Sequence, residues 1–179
     1  MEFWNVVVTV HEGYYQKACA ILEKIGSVSK TEYFNVLVMQ VHDIRAAMET
    51  LLTIMEQEPQ AHDAIARFVP VTQTFFFTSA KEFEIKAKKA ALSLTDELHG
   101  KKFFVRMHRR GFKKRISSME SETLLDKVLL DALAKMGTPG TISFSDPEAV
   151  ITLETVGQLG GLALFTREEL ARYPFLHLD

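Results

Sequence analysis

The sequence of 179 residues has one cysteine, Cys19, and one tryptophan, Trp4. A lone thiol excludes an internal disulfide and suits a reducing compartment. No apolar run approaches the roughly 18 residues that a membrane-spanning helix needs. The start, MEFWNVVVTV, lacks both the basic head and the long apolar stretch of a secretory signal. These absences predict a cytoplasmic protein with no membrane partner. Metal-binding patterns are lacking too. His11, His42, His62, His99, His108 and His177 are scattered without ligand spacing, and Cys19 has no second thiol beside it. No phosphate loop or nucleophile elbow surrounds any Ser, His or Asp. The glycines in Gly157-Gln-Leu-Gly160-Gly161 read as a hairpin turn rather than a dinucleotide loop. The expectation is therefore no metal, no cofactor and no catalytic group: a protein that is not an enzyme.

What is present is a composition able to build a core, 47% apolar and 25% charged. The net charge of −2 conceals a strong segregation. Residues 1–78 hold 5 basic and 9 acidic side chains, residues 79–115 hold 12 and 4, and residues 116–179 hold 4 and 10. One stretch, KKFFVRMHRRGFKKR (101–115), has eight Lys or Arg among fifteen residues and no carboxylate. Ordinary solvated faces mix both signs, so concentrated positive charge points to a polyanionic partner.

Along the chain, WNVVVTV (4–10) predicts a strand with Trp4, Val6, Val8 and Val10 on one face. A helix with Tyr14, Ala18, Ile21, Leu22 and Ile25 on its stripe follows. FNVLVMQV (34–41) is a second strand, and Asp43 caps a helix running through Met55. FVPVTQTFFFT (68–78) reads as one strand, with Pro70 placing it at a sheet edge. The order β-α-β-α-β is an incomplete ferredoxin-like pattern without a visible fourth strand. From Ser79 a helix of about five turns carries Phe83, Ala87, Ala90, Ala91, Leu94 and Leu98. A strand (103–108), a polar loop (111–118), a helix capped either by Ser117 with Glu120 or by Ser118 with the Glu122 region, and a hairpin over 149–165 complete the chain, with a short helix after Arg167.

Strand alternation places Phe103, Val105 and Met107 inward and Phe104, Arg106, His108 and Arg110 on the other face. Lys101, Lys102, Arg109, Lys113, Lys114 and Arg115 extend this exposed ridge, and Lys88 and Lys89 lie on the preceding helix. These eleven positions other than Phe104 are the candidate phosphate contacts, since phosphate binding wants several donors, some of them planar Arg forks, on a rigid element.

FFVRMHRRG (103–111), ISSMESETLLDKVLLDAL (116–133) and SFSDPEAVITLETVGQLGGLAL (143–164) together resemble a THUMP domain. VTVHEGYYQKA is similar to the start of the ferredoxin-like domain that precedes it. The resemblance implies an α/β (α+β) fold with a ferredoxin-like domain over 1–78 and a THUMP domain with a mixed sheet over 79–179. It also implies binding to the acceptor stem and 3′ end of tRNA, with no DNA expected. Because the sequence stops at Asp179, after the hairpin, it resembles the stand-alone branch. Members of that branch act as adaptors presenting tRNA to an acetyltransferase that forms N4-acetylcytidine. The rival readings are an enzyme with an unrecognised site and an interaction module for an acidic protein.

Overall fold

The computed structural model describes residues 3–178. The chain divides into two compact units, one up to Pro70 joined by Ala171–His177, the other Val71–Leu170 with the extreme C-terminus.

The first unit runs β1 (Val6–Val10), α1 (Tyr15–Leu22), β2 (Ser27–Lys30), β3 (Val36–Gln40), α2 (Ile44–Gln57), α3 (Gln60–Ala64) and β4 (Ile65–Pro70). Its sheet is antiparallel throughout, in the order β2-β3-β1-β4, which is ferredoxin-like. The fourth strand that the sequence did not reveal is β2, a four-residue edge strand, SVSK, with no buried residue. A strand with one apolar side chain gives no period to detect. Val7 is buried as fully as Val6 and Val8, so both faces of β1 are covered rather than one. Asp43 caps α2 as expected, its Oδ1 accepting from the Ala46 N–H at 2.9 Å. β4 is an edge strand, consistent with Pro70 in it.

Two features differ from the sequence reading. The apolar run 68–78 is two strands, β4 and then β5 (Gln73–Phe76), which belong to different sheets. The units therefore part at Pro70–Val71 and not at residue 78. The segment Ala171–His177 also returns to the first unit: the Phe68 N–H donates to the Phe175 carbonyl at 3.0 Å, and the two rings meet edge to face at 5.5 Å. Arg172 and Tyr173 both bond Glu49 of α2, and the Arg172 hydrogen bond leads in holding that carboxyl down at about 2.

The second unit continues with α4 (Ala80–Leu92), a 3-10 turn (Thr95–Glu97), β6 (Lys102–His108), α5 (Ser118–Lys135), β7 (Thr141–Ile142), β8 (Ala149–Val156), β9 (Leu159–Thr166) and α6 (Arg167–Arg172). Its sheet order is β5-β9-β8-β6-β7, with β6 parallel to both β7 and β8 and the other pairs antiparallel. A mixed sheet following a ferredoxin-like unit in the chain is the α/β arrangement the sequence led us to expect. The hairpin turn is tighter than predicted, just Gly157-Gln158, with Gly157 at φ +61°. Gly160 is required for a different reason: a Cβ there would lie 2.6 Å from the Phe75 ring.

One face of this sheet packs Phe103, Val105, Met107, Ile151 and Leu153 against Leu125, Leu129 and Leu133 of α5. β7 pairs only with the start of β6, so the later N–H groups on that edge need other acceptors. α5 supplies them. The Val105 N–H donates to Asp126 Oδ1 at 2.9 Å, and the Met107 N–H to Glu122 Oε1 at 2.8 Å. Burial is the main reason the Asp126 carboxyl is pushed up to about 6; the Val105 N–H opposes it and the Glu122 charge adds to it.

An acid whose folded pKa is raised favours the folded state while protonated and loses that contribution as pH rises through the folded value. Asp126 therefore weakens the fold increasingly from its ordinary value near 4 up to about 6, and fully above that. Asp126→Asn keeps an oxygen for the Val105 N–H and removes the charge. Urea denaturation should show this variant more stable than the parent at neutral pH, with a flatter stability profile between about pH 4 and 6. A profile as steep as the parent's would be the contrary result.

Candidate nucleic-acid interface

The cationic stretch lies along β6 and in the loop that joins it to α5. Alternation in β6 is as predicted on the inner side, where Phe103, Val105 and Met107 are buried. The other side is not an exposed ridge. Phe104 is buried with Val150 and Leu178, and the guanidinium of Arg106 lies 5.3 Å over its ring. Arg106 also approaches Glu122 at 3.8 Å and stays one-third exposed.

Arg110 is the clearest departure. Its side chain is 13% exposed and its Nη1 donates to Glu154 Oε2 at 2.6 Å, while Glu154 itself is fully buried. His108 Nδ1 lies 3.1 Å from the other oxygen of the same carboxylate. These two positions, expected to meet phosphate, instead enclose a buried carboxylate. Backbone bonds reinforce the arrangement. The Arg110 N–H donates to the Thr155 carbonyl at 3.1 Å, and the Gly157 N–H donates to the Arg110 carbonyl at 2.9 Å. The root of the cationic loop is thus fastened to the β8–β9 hairpin. Glu154 was invisible as a partner because it lies 44 residues from Arg110.

Beyond this anchor the loop presents its charge. Arg109 is half-buried and donates to the Gly111 carbonyl. Lys113, Lys114 and Arg115 are exposed. The loop is more than polar filler, since Phe112 packs on Phe77 at 4.9 Å and Arg115 stacks on Phe112 at 4.2 Å. Phe112 and Lys114 both adopt positive φ, +51° and +69°, a left-handed backbone uncommon outside glycine. Ile116 is buried, and Ser117 Oγ accepts from the Glu120 N–H to start α5.

A cleft of about 120 Å³ between α4 and α5 is lined by Arg115, Ser117, Glu84 and Phe83. Lys88 reaches this rim through its ion pair with Glu84 at 2.7 Å, and Lys89 is exposed on the same helix. Lys101 and Lys102 are not brought together with the loop. They stand at the far end of β6, on the order of 20 Å away by strand rise. There Lys102 Nζ pairs with Asp146 Oδ2 at 2.6 Å, and Arg167, which the sequence reading omitted, pairs with Asp146 Oδ1 at 2.9 Å. The structure therefore leaves Lys113, Lys114 and Arg115 exposed together on the loop, with Arg109 half-buried beside them and turned back onto the Gly111 carbonyl. It assigns Arg110 and His108 to structural pairing.

No protein-family model matches this sequence, and no curated protein matches it. Solved structures share its fold. PH1313 from Pyrococcus horikoshii Ot3 superposes with a TM-score of 0.61 at 12% identity over 91% of this chain and 54% of its own. TrmN from Thermus thermophilus gives 0.62 at 14%, over 90% and 45% respectively. A 4-thiouridine synthetase solved with RNA and ATP gives 0.52 at 12%, over 92% and 42%. The chain thus spans about half the length of these proteins or less. Others with the fold include SMU.472, a candidate methyltransferase solved with SAH. The expectation of a non-enzyme is corrected by these likenesses: chains with this fold include a 4-thiouridine synthetase and a protein solved with SAH, so the missing catalytic motif does not define the protein's class.

If Glu154 is the counter-charge that anchors the loop, Glu154→Gln leaves the largely buried Arg110 guanidinium without it and should cost about 3–5 kcal/mol. Lys113→Ala and Lys114→Ala should each change stability by less than about 0.5 kcal/mol. Urea titration of the three variants reads the contrast. Equal and small effects would show Arg110 to be solvent-balanced and not clamped.

Proposed function

We propose that this chain is the tRNA-binding part of a tRNA-modifying enzyme activity, gripping the RNA through the loop 109–115 while modification takes place elsewhere on the tRNA. The observation that carries this reading is the exposed run of Lys113, Lys114 and Arg115 on a loop fastened at both ends, to the β8–β9 hairpin and to α5. Closely spaced cations on a rigid support bind a phosphate backbone and do not read base sequence. The likeness to a synthetase solved with RNA supports the same direction. So does the resemblance of the strand and helix around the loop to THUMP domains, whose ligand is the acceptor stem and 3′ end of tRNA. Within this reading the chemistry served is N4-acetylation of cytidine, the reaction of the branch that VRMHRRG resembles, and the compartment is the cytoplasm.

Mobility shift against log salt tests it. The parent should bind intact tRNA more tightly than duplex DNA, with affinity falling steeply as salt rises. The triple variant Lys113→Ala, Lys114→Ala, Arg115→Ala should lower the slope by about three, near one per lost phosphate contact. Nucleoside mass spectrometry of tRNA from cells lacking the gene should then show loss of N4-acetylcytidine. A salt slope unaltered by the triple change would remove the loop from the interface. Loss of a methylated or thiolated nucleoside instead would keep the grip and replace the chemistry.

A further inference from the structure

The first unit is acidic, with six basic and nine acidic side chains in residues 1–70 and 171–177. One cavity in it has the opposite character. It measures about 310 Å³ and is lined by His11, His62, Arg67 and His177, over an apolar floor that includes Met55 and Phe175. Three of the chain's six histidines meet there, and no carboxylate lines it among the described residues.

The positions are set by backbone bonds from separate elements. The His11 N–H donates to the Ala64 carbonyl at 3.0 Å, tying the end of β1 to the end of α3, where the His62 N–H donates to the Pro59 carbonyl at 3.1 Å. Arg67 Nε donates to the His177 carbonyl at 2.7 Å, which joins β4 to the returning C-terminal segment. Residues 11, 62, 67 and 177 are thus neighbours only in the folded unit, which is why their scattering in the sequence gave no sign of a site.

Imidazole N–H groups donate to an oxyanion. The volume is at the lower end of the range for small-molecule sites, larger than a lone ion needs. We propose that this cavity binds a nucleotide through its phosphate, with His11, His62 and His177 around the phosphate, Arg67 holding the His177 backbone in place, and the Met55–Phe175 floor against the sugar or base. The phosphate comes either from a free nucleotide or from a nucleotide unit of an RNA chain. This site is distinct from the loop 109–115 and does not depend on the tRNA reading above.

The test is a titration of the full chain with adenosine 5′-monophosphate, followed by NMR of the histidine rings. Saturable shifts are expected at His11, His62 and His177, with His42 and His99, which do not line the cavity, left unmoved. Adenosine, which lacks the phosphate, should produce far smaller shifts. Exposed His62 can be changed without disturbing the core, so His62→Ala should weaken binding roughly tenfold, the size of one lost charge-assisted hydrogen bond. Adding tRNA as competitor separates the sources: displacement of the nucleotide assigns the site to an RNA phosphate, and unchanged binding assigns it to a free nucleotide. The proposal fails if the three rings do not move, if all the histidines move alike, or if adenosine acts as well as its phosphate. The triple change in the loop 113–115 is the separate control, because it tests RNA binding and leaves this cavity intact.

Discussion

Past Phe103 the strand β6 has no strand partner on one side, and its N–H groups must still be bonded. Much of the second unit follows from how that is met. Asp126 and Glu122 on α5 accept from Val105 and Met107, so the helix is fixed along the edge of the sheet as well as across its face. The loop between β6 and α5 is then held at both ends. The arrangement burdens the fold, because an oxygen close enough to serve Val105 is also partly removed from water. Burial accordingly raises the Asp126 carboxyl.

The same economy governs the basic residues. Of the eight Lys and Arg in 101–115, Arg110 neutralises the buried Glu154, Lys102 pairs with Asp146, and Arg106 shares itself between Glu122 and the Phe104 ring. What is left as an outward cluster is smaller than the sequence suggests and lies at one end of the strand. The aromatic residues support it: Phe112 packs on Phe77, which meets Phe83, and the Arg115 guanidinium lies over the Phe112 ring. A cation positioned in this way has lost much of the freedom that binding would otherwise cost.

Local features were legible in the sequence and long-range ones were not. Alternation in FFVRM located the inner face of β6, and the Ser117 and Asp43 caps fall where their spacing placed them. The polar strand β2 was missed because it lies at an edge and buries little. The run 68–78 concealed a change of sheet at Val71, since apolar residues on either side look alike. The Arg110–Glu154 pair and the meeting of His11, His62 and His177 join residues tens of positions apart. Charge counting alone cannot separate a cation that faces a ligand from one that faces a buried carboxylate. Nor could a missing motif decide whether the protein is an enzyme.

Lysine-modification footprinting with and without tRNA measures, residue by residue, which cations remain available to RNA. Strong protection of Lys113 and Lys114 by tRNA is expected, with weaker protection of Lys88 and Lys89 at the neighbouring cleft and little change at Lys102. Protection concentrated at Lys102, with Lys113 and Lys114 as reactive as in the free protein, would contradict RNA binding through the loop 109–115.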